Sequence, residues 1–447
     1  MSFPAYESYK DSGLDWLGAV PDHWRLAPFW SLFRRTKRTG FPDAELLSVY
    51  RDYGVIRKAD RDDNFNNASE DLSTYQLVEP GDLAMNKMKA WQGSLGVSAH
   101  KGIVSPAYFV FQAQHAEDPA FLHYLLRSGG YAVGFMTISK GIRIGQWDLD
   151  PDHLGTVPIP LPPLGEQRAI AAFLDRETAK IDALVGAQRQ LIELLKEKRQ
   201  AVISHAVTKG LDPSVPMKDS GIEWLGQVPA HWEAVPLKRY LTVLSGYAFP
   251  SAGFADDAAE VPLLRGVNVG VGRVRWDEVV YWPKSETGEL AAWQLALGDL
   301  VIGMDRPWIA EGLRLAEVAE QDLPCLLLQR VAALRTLPGL TRDYLKLTLQ
   351  GEAFYHHCVP EMTGVSVPHI SPGQIYEFVV AVPPHDEQEQ ISKLVKSVSG
   401  DAEQLVAAGE EAIALLQERR AALISAAVTG KIDVRGLVVD AESAEAA

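Results

Sequence analysis

Cysteine is nearly missing: Cys325 and Cys358 are the only two among 447 residues. Two thiols build no disulfide framework, so a reducing compartment, the cytoplasm, is expected. No apolar run approaches the roughly 20 residues a membrane helix needs, and Met1 to Lys10 has neither the basic start nor the apolar stretch of a signal peptide. No membrane partner is expected. Positive charge is also scarce, with 43 Lys and Arg against 58 Asp and Glu and a net charge of -15. That balance argues against a phosphate-rich partner unless the basic residues are gathered on one surface. The acid is uneven, lying mostly beyond residue 210.

Catalytic signatures are absent as well. The chain has no Gly-x-x-x-x-Gly-Lys-Ser/Thr phosphate cradle, no Asn/Asp-Pro-Pro-Tyr of amino-methyltransferases and no paired-Cys metal spacing. Gly270 and Gly272 imitate part of a dinucleotide loop, but no third glycine follows. His356, His357 and Cys358 are adjacent, so on a helix they point to different sides and read as surface plus core rather than as metal ligands. Asp305 in GMDRPW reads as half of a loop ion pair.

What the chain does have is repetition. KDSGLDWLGAVPDHW, Lys10 to Trp24, returns as KDSGIEWLGQVPAHW, Lys218 to Trp232, with eleven of fifteen positions identical. Three more pairs keep the same order: PLPPLGEQRAI (from Pro160) with VAVPPHDEQEQI (from Val380), EKRQAVISHAVTKGLD (from Glu197) with ERRAALISAAVTGKID (from Glu418), and GDL at Gly81 and at Gly298. A tandem unit of a little over 200 residues is written twice.

Each Pro-Pro hinge opens a long helical run. In the first, Ile170, Leu174, Ile181, Leu184, Leu191, Leu195 and Val202 recur at heptad-like spacing; in the second, Ile391, Val395, Val398, Leu405, Leu416 and Leu423 do so. A 43-residue helix would be about 65 Å long, too long for the inside of a compact domain. The two runs are therefore expected to pack on each other as an antiparallel coiled coil; the alternative is that each lies on its own domain. The regions between them carry short strand-like pieces broken by Gly, Pro, Asn and Asp. The expected fold is α+β: two globular mixed α/β domains separated by two long helices packed as an antiparallel coiled coil, with internal pseudo-two-fold symmetry. Expected boundaries are 1–160 and 211–380 for the globular domains, 161–210 and 381–436 for the helices, and 437–447 for a disordered Ala- and Glu-rich tail. In a closed arrangement the N-terminal phrase meets the end of the last helix, near Val428 to Asp433.

The repeated SGxxWLGxVPxHW phrase, the PLPP-x-x-EQ hinge before a long helix, and the closing ERRAALISAAVTGKID together resemble the specificity subunit of type I restriction-modification systems. GDLAMNKMKAWQGSLGVS with GIVSPAYFVF resembles one class of that family's target recognition domains; GDLVIGMDRPWIAEGLRLAE, DLPCLLLQRVAALR and TGVSVPHISPGQI resemble another. The resemblance covers nearly the whole chain and implies a non-catalytic reader with no cofactor of its own. Each domain would read half of a bipartite site on double-stranded DNA. Two methyltransferase subunits carrying S-adenosylmethionine would dock, and two motor-nuclease subunits using ATP and Mg²⁺ would join for cleavage.

On that basis Arg34, Arg35, Lys37, Arg38, Lys89, Lys140, Arg273 and Arg275 are candidate phosphate contacts. Candidate base readers, by side-chain type and loop position, are Asn86, Lys87, Gln92, Arg143, Gln146, Arg265, Asn268 and Arg306. The phrase itself is nearly identical in two halves that would read different sequences. Its Trp16, Trp24, Trp224 and Trp232 are accordingly expected to pack rather than to stack on bases. A protein-interaction scaffold with two globular ends, or an enzyme with an unrecognised site in the GMDRPW or GIVSPAY loops, are the competing readings.

Overall fold

The computed structural model describes residues 3–61, 68–143, 146–362 and 368–437. The chain divides into two compact units, one made of 1–189 with 410–447 and the other of 190–409. Both divisions fall within long helices, so each unit is assembled from a globular domain and half of each helix.

In the first unit four strands, β1 (Phe33–Thr36), β2 (Leu83–Asn86), β3 (Leu95–Val97) and β4 (Tyr108–Ala113), form an antiparallel sheet in the order β1-β4-β2-β3. Helix α1 (Pro119–Leu126) covers it, burying Phe121, Leu122, Leu125 and Leu126. Asp118 caps α1 by accepting the Phe121 N–H at 2.9 Å, and Pro119 sits where its missing N–H costs nothing. The first long helix, α2, runs from Leu164 to Lys209.

The second unit repeats the plan. Strands β5 (Leu241–Ser245), β6 (Leu300–Gly303), β7 (Leu315–Glu317) and β8 (Val331–Thr336) form an antiparallel sheet in the matching order β5-β8-β6-β7. Helix α3 (Arg342–Gln350) takes the place of α1, capped by Thr341, and the second long helix, α4, spans His385–Val428. The GDL pair opens β2 and β6. Asp82 accepts the Glu79 N–H and binds Arg38; Asp299 accepts the Ala296 N–H and binds Arg335 at 2.7 Å. A buried carboxylate needs such donors, and this one turns the chain into the central strand.

The helices pair antiparallel within each unit. Ile170, Phe173 and Leu174 of α2 share a core with Leu423 and Ala427 of α4, and Asp182 bridges Arg420 at 3.0 Å. In the second unit Ile203, Ala206 and Val207 share a core with Ile391 and Val395, and Arg199 lies 3.5 Å from Glu403.

The expected seam needs correction at three positions. Ile181 is buried, and Leu195, Val202, Val398 and Leu416 are partly buried, but Leu184, Leu191 and Leu405 are 56%, 47% and 56% exposed. Val185 and Ile192 are buried instead. They continue the 4-3 spacing of Leu174, Thr178, Ile181, Val185, Gln188, Ile192 and Leu195. Two polar residues within that stripe obscure it, and neighbours such as Leu184 and Val185 differ by about 100° around the helix.

The closure expected of the N-terminus is present in the first unit. The Asp433 N–H donates to the Pro4 carbonyl at 2.7 Å, and Trp16 and Ile432 pack against one core. Gly430 ends α4 in the left-handed region, φ 71°, and a Cβ there would fall 2.3 Å from Pro21. Gly210 ends α2 likewise, φ 75°, with Trp232 3.1 Å from where its Cβ would stand. The tail beyond 437 lies outside the described residues, and no described helix is long and apolar enough to cross a membrane.

Candidate nucleic-acid interface

The repeated phrase is a clamp. Trp24 is fully buried and its indole N–H donates to Glu166 Oε1 at 2.9 Å; the Tyr6 hydroxyl donates to the same oxygen at 2.6 Å, and His23 Nε2 lies 2.8 Å from Oε2. Burial and the bond to Glu166 push the Tyr6 phenol well above its ordinary pKa, so it stays a donor. In the second copy Trp232 donates to Glu387 at 3.0 Å and His231 lies 2.9 Å away.

The adjacent glutamine ties in the domain. Gln167 donates to the Pro162 carbonyl and accepts the Asp118 N–H, both at 2.9 Å. Gln388 does the same with Pro383 and with Thr341, at 2.9 and 2.8 Å. Thus HW and PP-x-x-EQ are two halves of one joint, made twice. The other tryptophans also pack: Trp16 lies edge-on to Tyr131 and against Gly134, and Trp224 lies against His357 and Phe378.

The repeat differs at one end of each sheet, where β1, β2 and β5, β6 finish and β3, β4 and β7, β8 begin. In the first domain this end receives the loops 87–94 and 105–107. Arg35 lies 4.4 Å above the Phe109 ring and Lys87 Nζ 5.1 Å from its centroid, so two cations share one aromatic ring. Arg34, Lys37, Lys89 and Gln92 are exposed, Arg34 reaching Gln112 at 3.3 Å. Lys140 is exposed, 3.5 Å from Asp150.

Five expected contacts in this domain change role or cannot be placed. Arg38 is not free for phosphate, because Glu79 at 2.7 Å and the buried Asp82 occupy its guanidinium. Asn86 closes the loop's first turn, its Oδ1 accepting the Met88 and Lys89 N–H groups. Lys87 donates to the Pro106 carbonyl at 2.8 Å while keeping its place on Phe109. The side chains of Arg143 and Gln146 lie outside the described residues; their backbones pair in a hairpin.

In the second domain the same end receives the loops 304–314 and 328–330, together with the turn 269–274, which reaches β7 through the Gly272 N–H to the Leu315 carbonyl. Arg306 and Arg273 are exposed there, and Arg275 and Arg265 are half-buried, with Arg265 donating to the Glu278 carbonyl. Asn268 is the clearest correction. It is 1% exposed, and its amide accepts the Arg265 N–H and donates to the Arg275 and Glu278 carbonyls, so it holds the loop and reaches no base.

Sequence reasoning also passed over residues at exposed or half-buried loop positions. Arg314, Gln329 and Arg330 lie in the second domain's loops, and the hairpin Leu47–Tyr50/Gly54–Arg57 presents Arg51 and Tyr53, with Arg61 4.6 Å above the Tyr53 ring. The alternation of Tyr with Arg in SVYRDYGVIR is the signal that could have found that hairpin. Among the described residues no group of His, Cys, Asp and Glu could hold a metal ion; His357 instead meets the Gln374 carbonyl at 2.9 Å.

No protein-family model matches the chain. It is 25% identical over 446 residues to the Type I restriction enzyme MjaVIII specificity subunit of Methanocaldococcus jannaschii, covering 98% of this chain and 99% of that one. It is 22% identical over 444 residues to the EcoKI specificity subunit of Escherichia coli, covering 93% and 90%. Among solved structures, a chain from a study of complex assembly and conformational transition of the type I R-M system aligns with TM-score 0.69 at 16% identity over 92% of this chain and 98% of that one. The HsdS subunit from Thermoanaerobacter tengcongensis aligns with TM-score 0.52 at 18% identity over the same shares. With a duplicated unit, a paired-helix frame and full-length relatives in agreement, the chain is similar over nearly its whole length to the specificity subunits of type I restriction-modification systems.

Proposed function

We propose that this chain is the non-catalytic sequence reader of a type I restriction-modification complex. Each globular domain reads one half of a bipartite double-stranded DNA site, and the helices set the unread gap. The observation that carries the proposal is the contrast between frame and loops. The clamp, the GDL turn and the sheet order are the same in both domains, while the loops at the equivalent sheet end carry Lys87, Lys89 and Gln92 in one and Arg306, Gln329 and Arg330 in the other. A duplicated frame with divergent cationic loops suits two readings of one kind of ligand.

Two methyltransferase subunits dock on the helices in this proposal. Leu184, Leu191 and Leu194 of α2 and Leu405 and Leu415 of α4 are exposed at repeat-equivalent or neighbouring places, an apolar presentation that suits partner helices. S-adenosylmethionine belongs to those subunits, and ATP with Mg²⁺ to two motor-nuclease subunits. Mapping methylated adenines genome-wide in cells expressing this chain with its methyltransferase is the test. A single two-part motif with a fixed gap is expected; methylation without a motif, or with a one-part motif, would overturn the proposal.

A further inference from the structure

Arg306 and Arg330 share a property found at no other non-glycine residue among those described: both have a positive φ, 44° and 68°. An L-residue bears a steric cost there and keeps such a backbone only where its surroundings impose it. The two lie far apart in sequence yet side by side in the fold. The Met304 N–H donates to the Arg330 carbonyl at 2.9 Å, and the Arg306 N–H donates to the Pro368 carbonyl at 2.7 Å. Pro307 further disfavours the helical alternative for Arg306.

Both side chains are exposed, and Asp305, next to Arg306 in the chain, places its Oδ1 3.8 Å from Arg330 Nη1. A long, exposed ion pair adds little to stability and does not offset two strained residues. Beneath them Arg314 acts as a tie, donating to the Val269 carbonyl at 3.0 Å and the Asp305 carbonyl at 3.1 Å. Burial lowers its pKa, with Asp305 opposing that shift and the nearby Arg275 and Arg306 adding to it.

We infer that Arg306 and Arg330, with Asp305 beside them, form the base-reading head of the second domain and recognise a G·C pair in the major groove. The inference rests on the proposed DNA-reading function. A guanidinium fork matches guanine O6 and N7, and an aspartate accepts from cytosine N4. Phosphate contact needs only charge, whereas bidentate reading needs a fixed direction, which two imposed backbone conformations supply. Asp305 reduces the net charge presented to phosphate and leaves the forks free to donate.

The test selects binders from a randomised double-stranded DNA pool, using the full chain assembled with its methyltransferase, for wild type, Arg330→Gly and Arg306→Gly. Glycine occupies the left-handed region without strain, so the variants are expected to melt at the same temperature or higher. Discrimination at one G·C position of one half-site is expected to fall about tenfold to a hundredfold, with the other half-site and the salt dependence unchanged. An intact motif with a salt slope shallower by about 0.9 would make these residues phosphate contacts and overturn the inference alone. A lowered melting temperature with both half-sites degraded would make them structural and overturn it too. If wild type selects no motif, the DNA-reading function fails and the inference with it.

Discussion

Trp24 donates its indole N–H to Glu166 at 2.9 Å, 142 residues away in sequence. Trp232 and Glu387 make the same bond at 3.0 Å. This one contact joins the repeated phrase to the first turn of a long helix, and it explains why two distant motifs travel together in each copy.

Removing the acceptor should hurt the two units unequally. Glu166 serves Tyr6, His23 and Trp24, whereas among the described bonds Glu387 serves only His231 and Trp232. Each buried donor left without a partner costs about 1–3 kcal/mol. Glu166→Ala is therefore expected to destabilise by about 3–5 kcal/mol and Glu387→Ala by about 2–3 kcal/mol, read from urea unfolding of each variant.

The cationic strand should separate by role. Ala at Arg34, Arg35 and Lys37 is expected to leave stability nearly unchanged and to flatten the salt dependence of DNA binding by up to about 0.9 per lost contact. Arg38→Ala should do the reverse, lowering stability by about 2–4 kcal/mol because Asp82 is left buried without its partner, with no change in salt slope. Salt titrations beside thermal melts distinguish the two.

Helix positions one residue apart should behave oppositely. Ile192→Ala removes a buried side chain and is expected to cost about 2–4 kcal/mol. Leu191→Ser lies on the exposed stripe; its stability should change by less than about 0.5 kcal/mol while association with the methyltransferase weakens. Unfolding curves and co-purification read the pair.

One histidine predicts a pH effect. Burial, reinforced by neighbouring Arg127 at 2.6 Å, holds the His123 imidazole neutral down to about 4. The folded state binds fewer protons than the unfolded one between that value and about 6.5, so stability rises with pH through this window. The contribution is complete above about 6.5 and is lost as pH falls toward 4, up to about 3 kcal/mol. His123→Gln should flatten the stability–pH curve across that interval; an unaltered slope would show that other groups set it.

Much of this was legible in the sequence because it is written twice. The duplication, the hinges, the two helices and the packing role of the tryptophans follow from phrases whose repetition marks them as frame. The seam was less legible. Leucine is the stronger hydrophobic signal, yet β-branched Val185 and Ile192 are the buried residues, and Thr178 and Gln188 interrupt the stripe that contains them. Contact residues were least legible, since Asn86 and Asn268 have the right chemistry for bases but spend it on their own backbone. Residue type says what a side chain can bond to, and only the fold says what it already has.

The division of both helices between two units bears on synthesis. Residues 190–409 form one unbroken stretch, so that unit can be completed as soon as its last residue leaves the ribosome. The other unit begins at the N-terminus but lacks its final segment until residues 410–437 have been made. The face of α2 carrying Ile170, Phe173 and Leu174 must wait for Leu423 and Ala427 through the translation of the entire second domain. The domain started first is finished last, and in the interval that apolar helix face lacks the segment that covers it.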